Sequence, residues 1–293
     1  MEKVVVIGGS GFVGSHTADE LNMRGYEVVI YDRKKPSQLQ DGQSFVIGDL
    51  LDYTAVVECV TGAKILYHFG GIADIDEARS RPFDTISANV MGTATVLKAA
   101  QMASVERLLF ASTMYVYSPF GSFYRATKQA SEILIEAYSE EYGIDFTFLR
   151  FGSLYGPRAQ DWNGLRRYIE EVVRTGKLQY AGTGDERREY IHVKDAARLS
   201  VDVLDSQYKN RAVTVTGSQV LRSADLIDMI FEIAGVPKEV NFLPTGRKQY
   251  HYTTTPYRYT PKKSQKIVPE GFIDIGEGIL EIVEEIHEEN EDS

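Results

Sequence analysis

The chain has 293 residues, 43% of them hydrophobic and 25% charged, the length and balance of one large α/β domain with a smaller lobe attached. Its formal net charge of −10 argues against nucleic acid as the main partner, because a phosphate backbone is held by clustered Lys and Arg. A single cysteine, Cys59, allows no internal disulfide, and neither a secretory leader nor a membrane-length apolar run is present, so a cytoplasmic protein is expected.

KVVVI, from Lys3, reads as a short buried strand, and GGSGFVG follows it into a helix that ends near Arg24. Gly8, Gly11 and Gly14 supply GxxGxxG at a strand-to-helix turn, where missing β-carbons let a pyrophosphate reach backbone N–H groups at the helix's positive end. EVVIYD is a second strand ending in Asp32, a carboxylate that can accept from ribose hydroxyls and repels a 2′-phosphate. The cofactor implied is NAD rather than NADP; Arg33-Lys34-Lys35 reads either as a solvated turn or as a cluster that softens that repulsion. A third strand runs into IGDL, which places Asp49 and Leu50 toward an adenine edge; an Asp there also commonly starts a turn.

AKILYHF is a fourth strand, NVMGTATVLKAAQMA a helix, and RLLFAST a fifth strand ending in Ser112-Thr113. The next helix carries Tyr124 and Lys128, four apart and therefore on one face. A phenol titrates near ~10, too high for a base at neutral pH, but an adjacent ammonium favours phenolate, so Tyr-xxx-Lys can make a general base. Of three tyrosines in FASTMYVYSPFGSFYRATK, only Tyr124 has a lysine so placed; Tyr115 and Tyr117 read as packing residues ahead of substrate contacts. DFTFLRF is a sixth strand. Beyond Gly156-Pro157 come helices near 164–175, 193–206 and 222–234, with EYIHV a strand returning toward the site. Alternating strands and helices predict a doubly wound parallel Rossmann sheet over 1–155, an interwoven substrate lobe over 156–285, and a frayed acidic tail at 286–293. Five scattered histidines and Cys59 show no metal-ligand spacing, so no metal is expected.

From Val4 to about Glu281 the sequence resembles the extended short-chain dehydrogenase/reductases, specifically the NAD-dependent nucleotide-sugar epimerases and dehydratases. The motifs are GGSGFVG, Asp32, GDL, HFGG, RPFDTISANVMGT, STMYVY, YRATK, RFGSLYGPR and RREYIHVKD. The resemblance implies Thr113, Tyr124 and Lys128 as catalytic residues, with Lys128 also on the nicotinamide ribose. It adds Phe12 and Val13 to the cofactor cradle, and Ser153, Asn163, Tyr180 and Arg188 to the substrate site, where Arg188 would grip the diphosphate and Arg187 competes for that role. It also implies a homodimer paired through helices around 84–103 and 124–142.

Three departures bear on the substrate side. Only SPFGSF separates the VY and YxxxK segments, where the family has a longer loop; Ser153 stands for the usual Asn; Gly70-Gly71 replace an Ala pair. The family's 4,6-dehydratases carry Asp-Glu after the catalytic Thr, whereas this chain has Met114 and Tyr115, the latter with no evident activating partner. The expectation is a 4-epimerase that retains NAD and acts on a nucleotide sugar, UDP-linked on family frequency. Its rivals are a 4-keto-sugar reductase consuming NADH or NADPH and a non-catalytic NAD-binding regulator.

Overall fold

The computed structural model describes residues 1–243, 251–256, 264–267 and 270–291. The first half runs β1 (Lys3–Ile7), α1 (Phe12–Met23), β2 (Glu27–Asp32), β3 (Gln43–Ile47), α2 (Tyr53–Val60), β4 (Ile65–His68), α3 (Ile75–Ser80), α4 (Pro82–Ile86), α5 (Gly92–Met102), β5 (Arg107–Thr113), α6 (Ser122–Tyr142) and β6 (Asp145–Phe151). The second half runs β7 (Ser153–Tyr155), α7 (Gly164–Thr175), β8 (Leu178–Ala181), β9 (Arg187–His192), α8 (Val193–Asp202), β10 (Arg211–Val215), β11 (Val220–Arg222), α9 (Ser223–Ala234), β12 (Val240–Leu243), β13 (Ser264–Lys266) and α10 (Ile275–Glu291).

Eight strands make one parallel sheet in the order β13-β10-β6-β5-β4-β1-β2-β3. Its inner strands are runs rich in Val, Ile, Leu and Phe because both faces are covered there. Val5, Leu66, Leu108 and Phe148 meet Val56 and Val60 of α2 and Val96 and Leu97 of α5 on one face. Val4, Val6, Leu109 and Leu149 meet Leu21 of α1 and Leu199 of α8 on the other. The chain winds outward through β2 and β3, then crosses to β4 on the far side of β1. That reversal opens a crevice at the carboxyl ends of β1 and β4, the usual ligand position in such sheets.

The second lobe has its own core, in which Leu165 and Ile169 of α7, Leu226 and Ile230 of α9, and Ile279, Ile282 and Ile286 of α10 pack together. The lobes are interwoven as expected: α8, β10 and β13 lie in or against the large sheet although they follow α7 in sequence. The frayed tail expected from 286 is not what forms. Ile286 is fully buried and Glu289 pairs with Arg166 at 2.9 Å, so the apolar stripe of α10 outweighs its acidic composition through Glu291. Residues 292–293 of that expected tail lie outside the described residues. The helix expected over 193–206 ends at Asp202, and a π-helical turn, Ser87–Met91, joins α4 to α5.

Candidate active site

A cleft of about 1130 Å³ opens above β1, β4, β5 and β6 and is closed from the other side by α7, β8 and β9. At one end stands the glycine turn. Gly8 has φ +79°, and a β-carbon there would lie 2.5 Å from the Gly70 nitrogen. A β-carbon on Gly14 would lie 2.3 Å from the Gly8 carbonyl oxygen, so both glycines are sterically required. Gly11 precedes the first turn of α1 and, with Phe12, Val13 and Gly14, lines the cleft. Phe12 also packs on Ala159 and Val193, which ties the cradle to the second half of the chain.

Asp32 closes β2, where its carboxylate accepts from Ser10 N and Lys34 N, each at 3.1 Å. Asp49 does start a turn, accepting from Leu51 N at 2.9 Å, yet it lines the cleft as well. Leu50 lines it beside Gly92, where a β-carbon would come within 2.4 Å of the leucine. A cradle that β-carbons would fill, followed by a carboxylate at the end of the second strand, fits NAD.

Thr113, Tyr124 and Lys128 meet at the carboxyl end of β5 and the first turns of α6. Burial pushes the Tyr124 phenol up to about 12, while hydrogen bonding from Thr113 pulls it the other way. Lys128 was expected to lower that phenol. Instead its Nζ donates to the Ala111 carbonyl at 2.7 Å and lies 4.6 Å from the Phe110 ring centroid. Burial pushes the lysine down to about 8, with Glu132 opposing. Ser112 is committed elsewhere, donating to Glu132 Oε1 at 2.5 Å.

On the substrate side, Ser153 of β7, Tyr180 of β8 and Arg188 of β9 all line the cleft, whereas Arg187 does not. Arg188 sits 5.3 Å from the Tyr252 ring centroid and donates to the Tyr252 carbonyl at 3.3 Å. Despite burial, the surrounding tyrosines Tyr190, Tyr115, Tyr252 and Tyr180 hold it above the ordinary arginine range. Among the described residues no carboxylate forms an ion pair with Arg188, so its fork remains available to an anion. Asn163 lines the cleft but both arms of its amide are engaged, capping α7 through Arg166 N at 3.1 Å and donating to the Leu154 carbonyl at 2.9 Å. The Tyr180 hydroxyl is likewise occupied by Glu186 at 3.0 Å.

The short SPFGSF segment does not leave a gap. Phe120, Tyr115, Tyr252 and Ile75 pack with Tyr124 as an aromatic wall, and a β-carbon on Gly121 would come within 2.7 Å of the Tyr115 ring. Tyr115 also has the partner that its local sequence did not reveal. Its hydroxyl lies 2.8 Å from His251 Nδ1, across 136 positions of chain. Asn89 was missed too: its amide clasps both backbone groups of Ile72 and donates to Thr127, bracing the loop after β4 against α6.

This combination defines a class, the extended short-chain dehydrogenase/reductases, in which a dinucleotide cradle and a Tyr-xxx-Lys helix share one cleft. Within that class the chain belongs to the NAD dependent epimerase/dehydratase family, whose model matches residues 4–215, and NAD is its cofactor. Similar proteins divide over the reaction. A UDP-N-acetyl-alpha-D-glucosaminuronate decarboxylase from Bacillus cytotoxicus is 27% identical over 73% of this chain and 74% of its own. A dTDP-D-glucose 4,6-dehydratase from Mus musculus is 25% identical over 97% of this chain and 88% of its own. The structure of Thermus thermophilus UDP-glucose 4-epimerase in complex with NAD superposes with a TM-score of 0.80 at 26% identity, covering 97% of this chain and 99% of that one. Identities this even across three reactions do not choose among them; the side chains in the cleft must.

Proposed function

We propose that the protein is a nucleotide-sugar 4-epimerase working on a UDP-sugar. The carrying observation is that one cleft brings together the glycine cradle, the Thr113–Tyr124–Lys128 group and Arg188 with no ion-pairing carboxylate among the described residues. In this reading Arg188 holds the diphosphate, and the distance from it to Tyr124 is spanned by the sugar. Thr113 orients the C4 hydroxyl and Tyr124 takes its proton, then returns it to the C4 oxygen once the flat 4-keto sugar has turned to present its other face to the cofactor. Lys128, charged below its value of about 8, holds the nicotinamide ribose. NAD, when bound, supplies the reversible oxidation at C4 and ends each cycle unchanged.

Elimination to a 4-keto-6-deoxy sugar needs a second acid and base beside the first. His251 removes the argument that Tyr115 stands alone, so the case against a dehydratase rests on Met114, which is fully buried and transfers no proton. The test is the Tyr124→Phe variant, which loses the phenolic oxygen and keeps the ring. With UDP-glucose, reduction of bound NAD followed at its near-ultraviolet absorbance should fall at least ~100-fold, with NAD affinity unchanged. An undiminished signal would remove Tyr124 from the reaction.

A further inference from the structure

We infer that Tyr252 is a positioning residue of the phosphate grip: its ring and its backbone carbonyl together hold the Arg188 guanidinium in place for the diphosphate. This rests on the reading of the cleft as a nucleotide-sugar site and adds to it a residue that no local motif marks.

Residues 251–256 lie along β9 as an added edge. The Arg187 N–H donates to the Thr253 carbonyl at 2.7 Å, the Thr255 N–H donates to the Arg187 carbonyl at 3.2 Å, and Arg187 pairs with Thr254 in parallel. The Glu189 N–H donates to the Thr255 hydroxyl at 3.0 Å. These bonds fix the register of the segment, and register decides which side chains become neighbours. Tyr252 is thereby set beside Arg188, with the guanidinium carbon 5.3 Å from its ring centroid, within reach of a cation–π contact. Nη2 donates to the Tyr252 carbonyl at 3.3 Å, the one hydrogen bond that the guanidinium makes among the described residues. An arginine has many rotamers, and an anion binds it more tightly when that freedom is already lost in the free protein.

The ring that does this is itself held. Tyr252 is 4% exposed, its ring lies 4.6 Å from that of Tyr115 at a 45° tilt, and it packs in the cluster of Ile75, Phe120 and Tyr124. Burial pushes its phenol up, with the Arg188 charge and a hydrogen bond from Ser153 opposing. The short hydroxyl of Ser153 thus serves Tyr252, and both residues line the cleft with Arg188. A tyrosine that served packing alone would accept leucine with no change in anion affinity.

Calorimetric titration of the NAD-loaded protein with UDP tests this. Tyr252→Phe keeps ring and carbonyl and should bind UDP within about twofold of the unaltered protein, whereas Tyr252→Leu keeps apolar bulk without the π face and should bind about tenfold more weakly, with NAD affinity unchanged in both. Arg188→Met should lose more, and adding Tyr252→Leu to it should cost nothing further, because the ring acts through the guanidinium. Full UDP affinity in Tyr252→Leu, or losses that add in the double variant, overturn the inference. So does a loss above about threefold in Tyr252→Phe, which assigns the effect to the phenol; this variant decides alone if the leucine protein does not fold. UDP binding that survives Arg188→Met removes the arginine from the grip, and the inference with it, while the nucleotide-sugar reading stands. An unaltered protein that does not bind UDP overturns that reading itself.

Discussion

Glu132 and Arg150 grip one another through two contacts, Nε to Oε1 at 2.9 Å and Nη2 to Oε2 at 2.7 Å, with both side chains sealed from solvent. The pair lies one turn along α6 from Lys128 and also receives Ser112, so it fixes α6 against the strands that carry Thr113. Glu132→Gln would strand a buried guanidinium, with an expected loss of about 3–5 kcal/mol in urea unfolding. Replacing both with apolar residues, Glu132→Leu with Arg150→Met, should cost much less. A single-variant loss under about 1 kcal/mol would mean that the pair is not the clamp described.

The contact of α1 with the segment after β7 is expected to respond to pH. His16 on α1 lies 3.0 Å from the Pro157 carbonyl through Nε2, and its Nδ1 accepts from Arg158 at 2.8 Å. Burial, and next the Arg158 charge, push the imidazole from 6.5 down to about 4. The unfolded chain takes up a proton that the fold refuses, so stability is full above about 6.5 and declines as pH falls toward 4. Two and a half units at about 1.4 kcal/mol each give a loss of about 3 kcal/mol. His68, pushed down to about 3, adds in the same direction. Urea midpoints at pH 7.5 and 4.5 should therefore differ less in His16→Asn than in the unaltered protein; equal differences would contradict this.

Asp32→Ala should weaken NAD and relax the discrimination against NADP, because the removed carboxylate both accepts from ribose hydroxyls and repels a 2′-phosphate. It also deprives Ser10 N and Lys34 N of their acceptor, which loosens the turn around the ribose. Titration of both cofactors reads this directly. Tighter NADP binding by the unaltered protein would refute the assignment.

The legible parts of this site were those set by local rules. A glycine turn, a carboxylate ending β2, and a tyrosine four residues before a lysine are each dictated by backbone geometry over a few positions, and Gly8, Asp32, Tyr124 and Lys128 do share the cleft. What stayed hidden depends on which distant segments meet. His251 reaches Tyr115 from 136 residues away, and no periodicity encodes that. Direction of a charge was hidden as well: four-residue spacing puts Lys128 on Tyr124's face, but the burial of its ammonium beneath Ala111 decides where it points. The acidic C-terminus is ordered by contacts that its composition does not encode, the burial of Ile286 and the pairing of Glu289 with Arg166.

A homodimer is expected through α5, α6 and the α4 segment before them. Phe83 is 79% exposed, Met91 56% and Ile133 58%, apolar side chains on these segments that a dimer would cover. Sedimentation at micromolar concentration should show a dimer, and Ile133→Glu should dissociate it. A monomeric unaltered protein would refute the pairing.

The central claim is inversion at C4 with NAD conserved. Proton NMR of UDP-glucose incubated with the purified protein, with no cofactor added, reports it through the coupling constants of the sugar ring. The account predicts that UDP-galactose signals grow to a stable equilibrium over many turnovers per protein, without any 4-keto-6-deoxy product. Turnover that stops unless NADH or NADPH is supplied in stoichiometric amount, or accumulation of the 4-keto-6-deoxy sugar, would contradict it.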